Sequence, residues 1–246
     1  MRNFYCPDQS LTVGCTVELP AAETTHALRV LRLQAGDHLR LLNGSGIRAD
    51  AELLPSAEAG RRRQEAHCRV FAVEHCSPPA IALHLYIAPP RGKNMDAVLR
   101  TATELGVGRI TPILCRYGVA KPENDKEGWQ QTLIAACKQS GNPFLPAISP
   151  PQTFHDALAE HNAGIGFFGA VPCENDRPIQ PGEFPSPHCV SLWIGPEGGF
   201  SPEEDAALRG AGLRALTIGS WILRVETAVP ALLGALYGRL EAVQKA

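Results

Sequence analysis

The pattern of apolar residues changes once along the chain, at Cys76–Pro79 (CSPP), and that change limits the folds available to it. Before it, short stretches alternate apolar and polar side chains: Thr16–Leu19, His38–Leu42, Ala49–Leu53 and His67–Val73. A period of two suits strands with one buried face. Gly36-Asp37 and Asn43-Gly44-Ser45-Gly46 are turn and hairpin signals between them. With one helix near Thr24–Arg32, the economical arrangement is a small β-barrel over residues 1–76. After the change, buried strands alternate with helical patterns, which predicts a parallel α/β sheet over residues 77–246. Strands are expected at Ala82–Ala88, Arg109–Cys115, Gly164–Ala170 and Cys189–Ile194. Helices are expected at Asn94–Leu105, stopped by Gly106, at Trp129–Ser140, ended by Gly141, and at Thr153–Glu160. Pro112 marks an edge or irregular position in its strand. Glu58–Glu65 (EAGRRRQE) reads as a charged loop and Pro172–Pro187 as a proline-rich linker.

Composition excludes several classes. With 44% hydrophobic and 20% charged residues in 246, the chain can bury a core and is too apolar for disorder. No apolar run approaches the ~18 residues of a membrane span. Met1–Pro7 (MRNFYCP) has no signal-peptide pattern, so a cytoplasmic protein without a membrane partner is expected. The eight cysteines include no C-x-x-C and read as reduced thiols. No histidine pair stands at i, i+4 beside a third ligand, so no metal is expected. The formal net charge is −2, and before residue 81 nine arginines are balanced by nine acids. Any nucleic-acid surface is therefore a local patch.

Chemistry concentrates in two C-terminal loops. In Ser191–Glu204 (SLWIGPEGGFSPEE) an apolar strand runs into a glycine-rich turn and then a helix start. Ser201 suits the N-cap, Pro202 the first helical position, and Glu204 completes a capping box. The glycines permit positive φ and close approach of a ligand to backbone N–H groups. Neither a P-loop nor a G-x-G-x-x-G fingerprint is present. In Leu216–Leu232 (LTIGSWILRVETAVPAL) a strand ends at Gly219, and a helix begins near Thr227 with Pro230 in its first turn. Leu232, Leu233, Leu236, Leu240 and Val243 then recur at helical spacing, with Arg239 and Glu241 elsewhere on the helix. Arg224 and Glu226 stand between apolar elements, where an ion pair bracing the loop is one reading.

IGPEGGFSPEE followed by an IGxxILRVETA segment resembles the signature of the ribosomal RNA small subunit methyltransferase E family, in the SPOUT superfamily. Glu104–Val107 (ELGV) with Ile110–Pro112 (ITP), and Ala135–Pro146 (AACKQSGNPFLP), resemble segments upstream in that family. His26–Arg32 (HALRVLR), Gly36-Asp37 and Asn43-Gly44 resemble its PUA-like RNA-binding domain.

The resemblance implies a SPOUT-type knotted (trefoil) α/β methyltransferase domain with an N-terminal PUA-like small β-barrel. It implies S-adenosylmethionine as cofactor and methylation of N3 of a uridine in 16S ribosomal RNA. Cofactor contacts would come from Phe168, Gly169, Ile194, Gly195, Gly198, Ile218, Gly219, Ile222, Leu223 and Thr227. Glu226, or second Glu197, would take the N3 proton, and Arg224 would steady the anion. The partner would be 16S ribosomal RNA or the small subunit, contacted through Arg2, Arg29 and Arg32. Arg29 and Arg32, three apart, would share a helix face. A homodimer through the C-terminal helix is implied as well. The chain departs from the family at basic positions, with Thr101, Asn142 and Trp221 where cations are common. A SPOUT enzyme with another target nucleotide, or a non-catalytic ribosome-assembly factor, are the alternatives.

Overall fold

The alternating segments of the N-terminal part pair into one sheet. A computed structural model of the chain describes residues 2–7, 9–55, 65–92, 94–119, 126–161, 164–171 and 189–244, excepting the side chains of 126–127 and 239–244. Strands β1 (Arg2–Tyr5), β2 (Thr16–Glu18), β3 (His38–Leu42), β4 (Ile47–Leu53) and β5 (His67–His75) lie in the order β1-β3-β4-β5-β2. Neighbours are antiparallel except β1 and β3. Alternation turns Phe4, Val17, Leu39, Leu41, Ala49, Ala51, Leu53 and Val70 into one core. Burial of each large apolar side chain contributes ~1.5–3 kcal/mol, and a one-residue slip would expose a whole strand's set, so the register is pinned. At the β3–β4 hairpin Gly44 and Gly46 take φ +79° and +102°. Asn43 Oδ1 accepts there from the N–H groups of Ser45 and Ile47, both at 2.9 Å.

The helix of this unit differs from the expected Thr24–Arg32. It begins earlier, as α1 (Ala21–Thr25), and continues as a π-helical turn, His26–Val30, in which Leu31 N–H reaches the His26 carbonyl. Arg32 lies beyond it at φ +53°, a left-handed conformation usually left to glycine or asparagine. Arg29 and Arg32 therefore do not share a helix face.

The first compact unit runs to Pro78 and takes in Ile134–Leu145. Those residues include the end of α3 (Lys126–Ser140). There Lys138 Nζ donates to both carboxylate oxygens of Glu23 at 2.8 Å and lies 5.8 Å from the centroid of the Phe4 ring.

The second unit, Pro79–Leu133 with Pro146 onward, holds a parallel sheet. β6 (Ala82–Ile87), β7 (Arg109–Leu114), β10 (Ile165–Gly169), β11 (Cys189–Ile194) and β12 (Arg214–Leu216) run in the order β12-β10-β11-β6-β7. Two short strands, β8 (Ala147–Ile148) and β9 (Gln152–Thr153), pair with successive parts of β7. This explains Pro112, which stands inside the sheet rather than at its edge. It falls between the β7 residues paired with β8, Arg109 and Ile110, and those paired with β9, Ile113 and Leu114. A residue with no N–H to donate suits that break in the pairing.

The remaining helices are α2 (Asn94–Glu104), α4 (Phe154–Ala159), α5 (Pro202–Gly210) and α6 (Val225–Gln244). Gly106 follows α2 at φ +73°, and the Tyr237 hydroxyl of α6 donates to the Leu105 carbonyl beside it. Leu232, Leu233 and Leu236 are buried within the chain itself. The side chains of Arg239, Leu240, Glu241 and Val243, the stretch 58–64 and the expected linker 172–187 lie outside the described residues. All seven described cysteines are free, and burial pushes the thiols of Cys6, Cys68 and Cys137 up to about 12.

On one face of the parallel sheet Tyr86 stacks on Trp193 at 3.9 Å, and His84 stacks on Tyr86 at 3.9 Å. His84 Nε2 lies 2.8 Å from Thr111 Oγ1, and His161 Nε2 lies 2.8 Å from Ser191 Oγ. Burial, aided by Arg109 and His161, pushes the His84 imidazole down to about 4.

Candidate active site

Strands β10, β11 and β12 end at one cavity of about 470 Å³. Small-molecule sites span roughly 300–1,000 Å³, and open α/β sheets place them beyond the carboxyl ends of their strands. One wall is Gly169–Val171, after β10, and another is Ile194–Phe200, after β11. Leu216, Ile218 and Trp221–Leu223 supply a third, and Val225, Ala228 and Leu232 of α6 close the space.

The glycines on these walls have individual reasons. A Cβ on Gly169 would come within 3.0 Å of Leu232 Cδ1 and 3.2 Å of Ile194 Cδ1. One on Gly195 would meet the Phe200 nitrogen at 3.1 Å and the Gly199 carbonyl carbon at 3.2 Å, which are backbone atoms that cannot step aside. Gly199 N–H donates to the Pro196 carbonyl at 2.8 Å and closes the turn with Gly199 at φ +75°. Gly219 has open space around it but takes φ +66°.

Beyond the turn, α5 starts with the expected capping box. Ser201 Oγ accepts from Glu204 N–H at 3.2 Å, and Glu204 Oε2 accepts from Ser201 N–H at 2.8 Å. The other oxygen of this buried carboxylate accepts from Arg116 N–H at 2.8 Å. Glu204 thus anchors the 115–119 loop to the glycine-rich turn, and its charge is satisfied by backbone donors.

Of the residues expected from the sequence to contact a cofactor, Gly169, Ile194, Gly195, Gly198, Ile218, Ile222 and Leu223 line the cavity. Phe168, Gly219 and Thr227 are outside the lining. Phe168 is fully buried in the core below, with the Arg209 guanidinium 5.2 Å from its ring centroid, and Thr227 is exposed. Sequence reasoning missed Asp205, Arg209, Leu216, Trp221 and Leu232 as lining residues. Asp205 and Arg209 pair at 2.7 Å with i, i+4 spacing, a signal legible on α5 but silent about which way it faces.

Of the acidic candidates, Glu197 borders the cavity, with Oε1 accepting from Arg91 N–H at 3.0 Å. Glu226 is half-buried and is not part of the lining; its Oε1 accepts from Asn94 Nδ2 at 3.3 Å. Arg224 is exposed just before α6. Its carbonyl accepts from both Thr227 and Ala228, so the helix closes its first turn on Arg224 rather than starting near Thr227. Pro230 consequently falls inside α6 instead of in its first turn. The strand expected to reach Gly219 stops at Leu216. In the other unit Arg2, Arg29 and Arg32 are all exposed. Among the described residues no group of three His, Cys, Asp or Glu converges as a metal site would.

Residues 77–237 match the family model described as the RNA methyltransferase domain, and residues 19–56 match the RNA methyltransferase PUA domain. A ribosomal RNA small subunit methyltransferase E from Aquifex aeolicus is 33% identical over 243 residues, covering 96% of this chain and 99% of that relative. The chain belongs to the ribosomal RNA small subunit methyltransferase E family. The family's protein from Synechocystis sp. is 29% identical, covering 98% of this chain and 78% of the relative. Its crystal structure from Neisseria gonorrhoeae, bound to S-adenosyl methionine, has a TM-score of 0.84 at 28% identity and covers 97% of each chain. The fold class expected from the sequence is borne out: an α/β methyltransferase unit with a parallel sheet and an N-terminal PUA-like domain.

Proposed function

We propose that the protein transfers the methyl group of S-adenosylmethionine to small-subunit ribosomal RNA, at N3 of a uridine. The cavity at the ends of β10, β11 and β12 is the observation that carries this reading. Its walls combine apolar side chains, such as Ile194, Leu216, Ile218 and Leu232, with backbone at Gly169 and Gly195 where a Cβ would crowd its neighbours. Such a cradle suits a cofactor held largely by main-chain groups, and a relative of the same family is bound to that cofactor. When bound, the cofactor supplies an electrophilic methyl group.

The protein's own groups have two tasks. N3 of uridine is a weak acid and must lose its proton, which Glu197 on the cavity wall or Glu226 at the start of α6 would accept. Arg224, exposed and without an ion-pair partner among the described residues, would steady the resulting anion. The glycine-rich loops position the reactants, and positioning with electrostatics carries most of the rate.

In this reading residues 1–76 bind RNA, through Arg2, Arg29 and Arg32 among others, and residues 77–246 carry the chemistry. It also includes the trefoil knot, the homodimer and the cytoplasmic location that the family resemblance implies. Because Leu232, Leu233 and Leu236 are buried within their own chain, a second copy would meet other residues of α6. Light scattering at micromolar concentration tests the dimer, and a monomer rejects it.

The decisive experiment is to map methylated nucleotides in small-subunit ribosomal RNA from a deletion strain. One N3-methyluridine should disappear and return on complementation. An unchanged methylation map overturns the proposal.

A further inference from the structure

Trp221 breaks the rule that the other tryptophans follow. Trp129 and Trp193 are 5% and 0% exposed, whereas Trp221 is 82% exposed and its neighbour Ile222 76%. Both nevertheless border the cavity. An indole carries a large apolar surface with a polar edge, and leaving it in water at the rim of a ligand site forgoes the burial that stabilises other tryptophans. An exposed apolar rim of this kind marks a surface that something covers.

The surroundings of Trp221 indicate what covers it. The loop follows Gly219 and exposed Ser220, with Gly219 in a conformation other residues rarely adopt, so the indole is carried out from the body rather than folded onto it. Three residues further on stands the exposed Arg224 guanidinium. A flat aromatic face close in sequence to an exposed cation matches the chemistry of a single-stranded nucleotide, whose base stacks on the ring while the negative charge that develops on that base is met by the cation. A base that reacts in a walled cavity must also leave its own stack, and a replacement stacking partner at the mouth offsets part of that loss.

We propose that Trp221 stacks on the ring of an unpaired RNA base at the cavity mouth and so holds the target nucleotide for methylation. This rests on the RNA methyltransferase reading above. The indole is a substrate-binding group, distinct from those that handle the proton and the charge.

The test uses the full chain with unmodified small-subunit ribosomal RNA and labelled S-adenosylmethionine. Trp221→Ala should raise KM for RNA by on the order of 10- to 100-fold, the range of one lost base–aromatic stack. Because Trp221 also borders the cofactor cavity, the calorimetric Kd for S-adenosylmethionine is measured beside it and should change far less than the RNA KM, and Trp221→Phe should recover most of the RNA affinity. In parallel, iodide quenching of wild-type tryptophan emission reads the indole directly, because the other two tryptophans are buried. A single-stranded uridine oligonucleotide should protect Trp221, whereas S-adenosylhomocysteine alone should not. An unchanged RNA KM in Trp221→Ala overturns the proposal. So does an equal loss of cofactor affinity, which would make the indole a cap on the cofactor. Protection that grows with protein concentration in the absence of RNA also overturns it, by assigning the surface to a second copy. A wild-type protein that transfers no methyl group would reject the enzymatic reading instead, and the iodide measurement would still decide the role of Trp221.

Discussion

Arg224 and Glu226, two residues apart where α6 begins, do not pair with each other. The Glu226 carboxylate turns to α2, accepting from Asn94 Nδ2 at 3.3 Å, while Arg224 is exposed with no ion-pair partner among the described residues. The reading in which the two brace the loop as an ion pair therefore gives way. Each is available for a role of its own, and the two roles are separately testable.

If Arg224 steadies the N3 anion, Arg224→Gln should lower the rate of methyl transfer by about 10²–10³-fold, the usual effect of removing one positioned donor. Cofactor affinity should not change. Single-turnover transfer beside calorimetric titration measures both, and a variant that loses affinity and rate together points to a structural role.

The proton acceptor is found by pH. Glu197→Gln and Glu226→Gln keep shape but remove a basic carboxylate. The deficit of the variant lacking the base should shrink as pH approaches ~9, where uridine ionises increasingly without help. The position of Glu197 on the cavity wall makes its variant the one expected to show this rescue. A Glu197→Gln enzyme with full rate and a wild-type pH profile removes it from consideration.

Gly195→Val and Gly219→Val should both weaken S-adenosylmethionine binding, for different reasons. At Gly195 the added Cβ meets backbone of Phe200 and Gly199 at 3.1–3.2 Å, so the turn must shift. At Gly219 there is space, but φ +66° disfavours a β-branched residue. Circular dichroism should report a folded protein in both cases, and unchanged affinity in both would detach these loops from the cofactor.

His84 should make the fold acid-sensitive. Its folded pKa, pushed down to about 4 by burial with help from Arg109 and His161, lies below the usual ~6.5. The neutral ring is thus the form the fold favours. Its stabilisation is complete above pH ~6.5 and is lost as pH falls toward 4, because the unfolded chain takes up the proton first. Urea midpoints of the wild type should drop across that window, and those of His84→Gln should drop less. Equal slopes would assign the acid sensitivity to other groups, His161 first among them.

Replacing Arg29 and Arg32 with alanine should weaken RNA binding and flatten its salt dependence by roughly 0.7–0.9 in log–log slope per lost phosphate contact. Filter binding at several salt concentrations measures this. A slope equal to wild type would move the RNA surface away from these residues. Because Arg32 sits at φ +53°, Arg32→Gly offers a control that removes the charge while relaxing the backbone.

Much of the architecture is legible in the sequence. The strands His38–Leu42 and Cys189–Ile194 match their expected spans residue for residue, the first through its alternation and the second as a short apolar run bounded by turn signals. The capping box at Ser201 and Glu204 is legible too, being a contact between residues three apart. The elements that the sequence conceals are those that exist only through a partner. β1 carries too few residues for a period, and it becomes a strand because Phe4 lies opposite Leu41. β8 and β9, two residues each, are defined by pairing with β7. The start of α6 differs from its expected place because both first-turn donors return to Arg224, a choice no propensity reveals.

The sequence by itself determined the types of the main elements, the change of pattern near Cys76–Pro79 and the family, because the two C-terminal motifs are contiguous stretches. Only the tertiary structure decided which of their residues meet. The order β12-β10-β11 brings Gly169, Ile194 and Leu216 to neighbouring strand ends although they are far apart in the chain. The same packing puts Glu197 on the cavity wall, turns Glu226 to Asn94 and leaves Trp221 in water at the rim. Hydrophobic period reports which face of a strand is buried. It carries no information about which strand lies next to it, and the site is made of those neighbours.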